Sequence, residues 1–242
     1  MLVGLAAQLV DGALGMAYGI ISNTFLLSLG ISPAYSSASV HVAEVFTTLT
    51  SGLSHLRLGN VDKKLLVRLA LPGVVGGIVG AYVLASVPGQ AIRPFIAVYL
   101  VIMGLIILNR ARRPARAEEA RDGLGHLAAP LGITGGFLDA VGGGGWGPVV
   151  TSTLLGRGCA PRLAIGSVNL AEFFVTLVQS ITFLLLLRTV HWELVLGLMA
   201  GGVIAAPVAA VACRRLQPRI LMLLVGALVL ILNVREILPL LP

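Results

Sequence analysis

Four carboxyl groups stand where an apolar chain should carry none. Glu44 lies in "SVHVAEVFTT", residues 39–48, and Glu172 in "SVNLAEFFVT", residues 167–176. Asp11 opens "DGALGMAYG", residues 11–19, and Asp139 opens "DAVGGGGWGP", residues 139–148. An ionised carboxylate at bilayer depth costs at least about 2.5 kcal/mol on insertion scales, so such groups face the protein interior and serve ion or proton pathways. The flanking apolar segments hold no Lys or Arg to pair with them. Each is therefore protonated, hydrogen-bonded, hydrated or bound to a cation. A carboxyl in low dielectric resists ionisation, which suits it to take up and release a proton near neutral pH. His41, three residues before Glu44, shares its helix face, and because histidine as a residue type ordinarily titrates near neutrality the two could exchange a proton. Glu44, Glu172, His41, Asp11 and Asp139 are the candidate proton carriers.

The neighbours extend this polarity. On a helix, Ser37, His41, Glu44, Thr48 and His55 share one face, and Asn169, Glu172, Thr176 and Gln179 share another. Such stripes bind a polar substrate or supply interhelical hydrogen bonds; Ser39 and Ser167 point elsewhere and read as packing residues. Four successive glycines, each about 1 kcal/mol worse than Ala in a helix, followed by Pro148, predict a break at 139–148. A weaker break is predicted at 11–19. Amides freed at Gly143, Gly144, Gly145 and Trp146 would form an anion site at a helix start; close helix packing is the plainer role for the glycines. Asp11 and Asp139 serve either to cap these breaks or to contact an ion. Tyr18 and Trp146 occupy matching positions and either wall the site or simply pack.

The elements that position these groups are set by composition. The chain has 242 residues, 57% hydrophobic and 11% charged, with a mean hydropathy of +0.98. A soluble domain carries about a quarter charged residues. Apolar runs over roughly 2–29, 35–56, 66–87, 91–109, 124–156, 163–187, 194–213 and 218–240 are read as helices, because open strands leave backbone groups unpaired in lipid. The fold class is an all-α polytopic membrane protein. No cleavable leader is evident. The +7 net charge does not indicate nucleic acid, since Lys and Arg fall at the ends of apolar runs or between them. Cys159 and Cys213 are far apart and show no metal spacing.

Shifting residues 11–48 by 128 overlies 139–176 without a gap. The identities include Asp11/Asp139, Gly15/Gly143, Gly19/Gly147, Gly30/Gly158, Pro33/Pro161, Glu44/Glu172 and Thr48/Thr176. Biased composition does not match Asp, Glu, Pro and Gly in register, so the chain reads as two repeats, a common build of secondary transporters. The expected boundaries are repeat 1 over 1–108, a charged linker over 109–123 and repeat 2 over 124–242. Basic residues cluster at 57–68 in repeat 1, whereas the matching loop at 188–193 holds only Arg188. This switch predicts that the repeats are inverted, with the first segment of each broken or re-entrant.

The duplicated unit, "DAVGGGGWGP", the "GNVD" at 59–62 and "PGVVGGIVGAY" at 72–82 together resemble the sulfite exporter TauE/SafE family over nearly the whole chain. In the first copy "GALGMAYG" stands where that family usually has a glycine run. The resemblance implies a permease of the bacterial inner (cell) membrane that moves sulfite, a sulfonate or a related organosulfur anion. Combined with the carboxyls, it leads to the expectation of a secondary transporter for a small anion, coupled to protons and embedded in the lipid bilayer. A cation or metal-ion transporter using the carboxylates is the alternative. No nucleotide motif, cofactor motif or metal spacing is found, and no Ser/His/Asp set or HExxH points to an enzyme. A homodimer is left open.

Overall fold

The computed structural model describes residues 1–112, 126–212 and 218–237, and what it describes is helical. The chain runs through α1 (Leu2–Leu14), α2 (Tyr18–Ser28), α3 (Pro33–Arg57), α4 (Lys63–Ser86) and α5 (Gly89–Arg112). It then runs through α6 (Ala128–Gly142), a wide π-helical turn (Gly147–Thr151) that leads into α7 (Ser152–Gly156), α8 (Pro161–Leu187), α9 (Trp192–Ala212) and α10 (Pro218–Ile237). Helix α5 carries on to Arg112, so the first residues of the expected linker are helical. The rest of that linker, and Cys213, Arg214 and Arg215, lie outside the described residues.

Local chemistry sets the boundaries. Pro33 and Pro161 each occupy the first helical turn, where a missing amide costs nothing. Asp62, the last residue of "GNVD", caps α4 by accepting from the Lys64 amide at 2.8 Å and the Leu65 amide at 3.2 Å. Both expected breaks are present, and the first is as definite as the second. Gly15 (φ 66°) ends α1 and Gly143 (φ 64°) ends α6, each in the left-handed conformation that favours glycine. Their amides return to the Asp11 and Asp139 carbonyls respectively.

Four described helices are long and apolar enough to cross a membrane: Lys63–Ser86, Gly89–Arg112, Pro161–Leu187 and Trp192–Ala209. Helix α3 has 25 residues, but its stripe of Ser37, His41, Glu44, Thr48 and His55 is buried inside the bundle. The outside is apolar, with Leu71, Phe95, Leu185 and Ile231 among the most exposed side chains. Polar groups inside and apolar groups outside is the arrangement that lipid solvent selects.

Packing exchanges helices between the two halves of the chain. Helix α1 lies along α9, and α6 along α4. A β-carbon on Gly132 would fall 2.6 Å from the Leu69 carbonyl oxygen, and one on Gly80 would fall 2.6 Å from that of Phe137. These glycines let α4 and α6 approach backbone to backbone, side by side in the same direction. Helix α3 crosses α8 in the opposite sense, since His41 meets Phe183 (ring centroids 5.9 Å apart), Gly52 meets Leu170, and Asn60 meets Gly166. Helices α5 and α10 are likewise antiparallel, with Gly104 against Leu230 and Gly226 against Leu108.

Candidate functional site

Where α3 crosses α8, the two breaks come together. Gly144 abuts Gly19: a β-carbon on Gly19 would lie 2.7 Å from the Gly144 Cα. The Thr151 hydroxyl donates to the Gly15 carbonyl at 2.6 Å, tying the second break to the first. Asp11, Glu44, Asp139 and Glu172 are all buried around this contact, close enough to feel one another's charge.

Both aspartates act as caps. Asp139 Oδ1 accepts from the Gly145 amide at 2.9 Å and the Trp146 amide at 3.0 Å. The Gly144 amide goes to the Asp139 carbonyl at 3.1 Å. Asp11 Oδ1 accepts from the matching Tyr18 amide at 3.4 Å, a longer contact. In this conformation the amides of 143–146 are therefore spent on Asp139.

The polar stripe divides in use. Ser37 donates to the Ala140 carbonyl at 2.7 Å, Gln179 donates to the Gly136 carbonyl at 3.0 Å, and Asn169 Oδ1 accepts from Ser51 at 2.9 Å. The Ser37 and Asn169 bonds join helices from opposite halves, and the Gln179 bond joins α8 to α6 within the second half. Thr48 and Thr176 instead donate to the Glu44 and Glu172 carbonyls of their own helices, at 2.5 and 2.9 Å. Ser39 is turned onto its own helix at the Tyr35 carbonyl, whereas Ser167 accepts the Asp62 amide at 2.8 Å and so joins α8 to the start of α4. Tyr18 and Trp146 are both fully enclosed; the Trp146 indole donates to the Val168 carbonyl at 3.2 Å and its ring fills the space over Gly73.

His41 has a different partner from the one its spacing suggests. Its Nε2 lies 3.2 Å from Asp139 Oδ2, across the interface between the halves. One ligating atom each from His41, Glu44 and Asp139 lies within 4.8 Å of the others. That spacing is within the reach of a cation, but the His41 and Asp139 atoms already face each other at hydrogen-bond distance. Glu44 Oε2, Glu172 Oε2, Asp11 Oδ2 and Gln179 Oε1 are buried with no hydrogen-bond partner among the described residues. Buried polar atoms without partners are costly, and a proton, a water or a polar group arriving here would satisfy them.

Several contributors are absent from the sequence reading. Asn23 donates to the Gly142 carbonyl at 2.6 Å and accepts from Ser36, tying α2 to the second break. Gln8 is buried in α1, and Asn233 of α10 donates to Thr24 at 3.0 Å. Asn23, Gln8 and Asn233 are amides in apolar runs, a signal of the same kind as the acids. The Tyr99 hydroxyl donates to the Gly144 carbonyl at 3.1 Å, and nothing in the sequence marks it.

A bundle with an apolar exterior and titratable groups at its centre accords with what this chain is similar to. The profile of the family "Sulfite exporter TauE/SafE" matches residues 1–235. The "Probable membrane transporter protein YtnM" of Bacillus subtilis (strain 168) is 43% identical over 241 residues, covering 97% of this chain and 80% of that protein. No solved structure matches the chain. With the family matched over nearly its whole length, this chain belongs to the TauE/SafE sulfite exporter family and is a multi-pass membrane transporter.

Proposed function

We propose that the protein is a proton-coupled secondary transporter of a small sulfur-containing anion such as sulfite or a short sulfonate, acting in the bacterial cell membrane. The observation that carries this reading is the convergence of Asp11, Glu44, Asp139 and Glu172, from both halves of the chain, on the contact between the two breaks. The family to which the chain belongs is described as a sulfite exporter, which is the ground for the substrate class. The anion would bind near the midplane among Gly143, Gly144, Gly145, Trp146 and Tyr18, with Ser37, Thr48, Asn169, Thr176 and Gln179 lining the approach. It would do so by taking the amides that Asp139 now holds. A negative charge brought beside the buried carboxyls favours their protonation, so a proton would arrive with the anion on Glu44 or Glu172.

The chain is read as two inverted repeats, 1–108 and 124–242, joined by the linker 109–123. The opposite sense of the matching pairs α3 with α8 and α5 with α10 supports this reading. So does the course of the broken segment. Helix α1 runs alongside α9, whereas α2 returns toward the end where α3 begins, with the Leu27 carbonyl accepting from Arg93 at 3.2 Å. Inverted repeats around a midplane site permit alternating access by rocking one half against the other.

Ligand stabilisation tests the substrate class. Sulfite or a short sulfonate should raise the melting temperature of the purified protein, and divalent cations should not. Stabilisation by a divalent cation alone would favour cation transport instead.

A further inference from the structure

We propose that His41 and Asp139 form one proton-binding site, a single proton held between His41 Nε2 and Asp139 Oδ2. This proton staples the two halves together and must leave before they can part. The inference deepens the proton-coupled reading and rests on it for its role in transport.

Hydrogen-bond accounting requires the proton. His41 Nδ1 lies 2.7 Å from the Ser37 carbonyl, which can only accept. Its other neighbour, the Ser37 hydroxyl at 3.2 Å, spends its hydrogen on the Ala140 carbonyl. Nδ1 therefore carries the N–H. In a neutral imidazole the other nitrogen, Nε2, is then a bare lone pair. It faces Asp139 Oδ2 at 3.2 Å. Asp139 Oδ1 already accepts two amides, from Gly145 and Trp146. Without a proton between them, a lone pair would confront a carboxylate at hydrogen-bond distance, in a site closed to water. Either imidazolium faces carboxylate or imidazole faces carboxylic acid; the count is one proton in both.

The surroundings make its loss consequential. The groups facing the pair are Glu44 from α3, Asp11 from α1, Glu172 from α8 and the Tyr99 hydroxyl from α5. Tyr18 of α2 lies by Glu44 and Asp11. All are acidic or phenolic, so none replaces the lost positive charge. Release passes H⁺ to water and leaves neutral imidazole, with its Nδ1–H, beside a carboxylate. His41 belongs to α3, and Asp139 lies in the last turn of α6 and holds the second break, so the resulting repulsion acts between the halves. The pair has no twin. The position matching His41 is Asn169, which donates to the Ile165 carbonyl at 3.1 Å and cannot titrate.

Asp139→Asn tests this directly. Its Oδ1 still accepts the two amides, and its Nδ2 supplies a hydrogen to His41 Nε2 that cannot dissociate. The measurements use full-length protein in bilayers: ¹⁵N NMR of the imidazoles, with His41 identified by loss of its signals in His41→Asn, and amide protection of residues 140–147 corrected for intrinsic exchange. As pH is raised, wild type should keep Nδ1 protonated, lose the Nε2 proton and lose protection at the break. Asp139→Asn should show a bare Nε2 and constant protection. A bare Nδ1 in wild type, or break protection that changes with pH equally in both proteins, would overturn the proposal. So would an Nε2 signal that follows Na⁺ or Zn²⁺ at fixed pH. pH-dependent protection without substrate-driven proton flux would retain the staple and overturn the transport coupling on which its role rests.

Discussion

Glu44, Glu172 and Asp11 differ from Asp139 in one respect that bears on their function. Both oxygens of Asp139 are engaged, whereas Glu44, Glu172 and Asp11 each keep one carboxyl oxygen with no partner at full burial. An amide in place of a carboxyl preserves shape and hydrogen bonding but cannot release a proton. Glu44→Gln and Glu172→Gln should therefore fold, and at least one should lose substrate-driven proton flux while equal-concentration exchange persists. His41→Ala is a harsher change. It leaves the Asp139 carboxylate unpaired at full burial, and removing one member of a buried pair costs about 3–5 kcal/mol, visible as a large fall in melting temperature. Cys159 offers a control outside the spans. Burial, and then the charge of Asp62, push its thiol above the ordinary value. The thiolate is the reactive form, so alkylation should be slow at neutral pH and should accelerate only above the usual thiol range. The acids were legible in the sequence because charge is rare in apolar runs. The partner of His41 was not, because spacing along one helix points to Glu44, and only the packing of α6 against α3 and α4 brings Asp139 within reach.

The glycines decide how the elements meet. The glycine run at 142–145 predicts a break, and the backbone does break there. Yet each of these glycines is also pressed against a neighbour: Gly142 against Tyr99, Gly143 against Asn23 and Gly144 against Gly19 and Ile20. Composition announces a break without revealing what packs into it. Gly144 sits at φ 149°, where a side chain is strained whatever the space, and a β-carbon would collide with the α2 backbone. Gly144→Ala should therefore lower thermal stability as well as ligand affinity, and loss of affinity at unchanged stability would show that the site has more room than its packing implies. A wedge placed away from the breaks separates packing from binding. Gly76→Val would meet the Ile133 backbone on α6. Overpacking of this kind costs about 1–3 kcal/mol, read as a fall in melting temperature. The apolar runs place the starts of these helices at 35 and 163, and Pro33 and Pro161 begin α3 and α8 slightly earlier, through a purely local constraint.

Taken as a whole, the bundle sorts its charges by end. The C-terminal end of α3, with Arg57, meets the N-terminal end of α8, with Arg162, through the Asp62–Ser167 bond, and Lys63, Lys64 and Arg68 follow on α4. The opposite end is marked by Tyr35 against His191, with ring centroids 5.7 Å apart, and by Arg93 and Arg188. The positive-inside rule predicts that the first end is cytoplasmic. With Cys159 and Cys213 replaced, Lys63→Cys should be labelled only from the cytoplasmic side and Thr189→Cys only from outside; labelling of both from one side would contradict the inversion. Loop charge alone pointed this way, but the antiparallel crossing of α3 and α8 depends on contacts far apart in the chain, which no local pattern specifies. The central claim is that an anion and a proton move together through the shared carboxyl cluster. Its most direct test is flux in proteoliposomes carrying an internal pH dye, driven by an imposed gradient of sulfite or a short sulfonate. The account predicts that wild-type protein moves protons with the anion, and that Glu44→Gln or Glu172→Gln abolishes this proton movement and flattens the pH dependence of transport. Wild-type proton-to-anion ratios retained in both amide variants would contradict it.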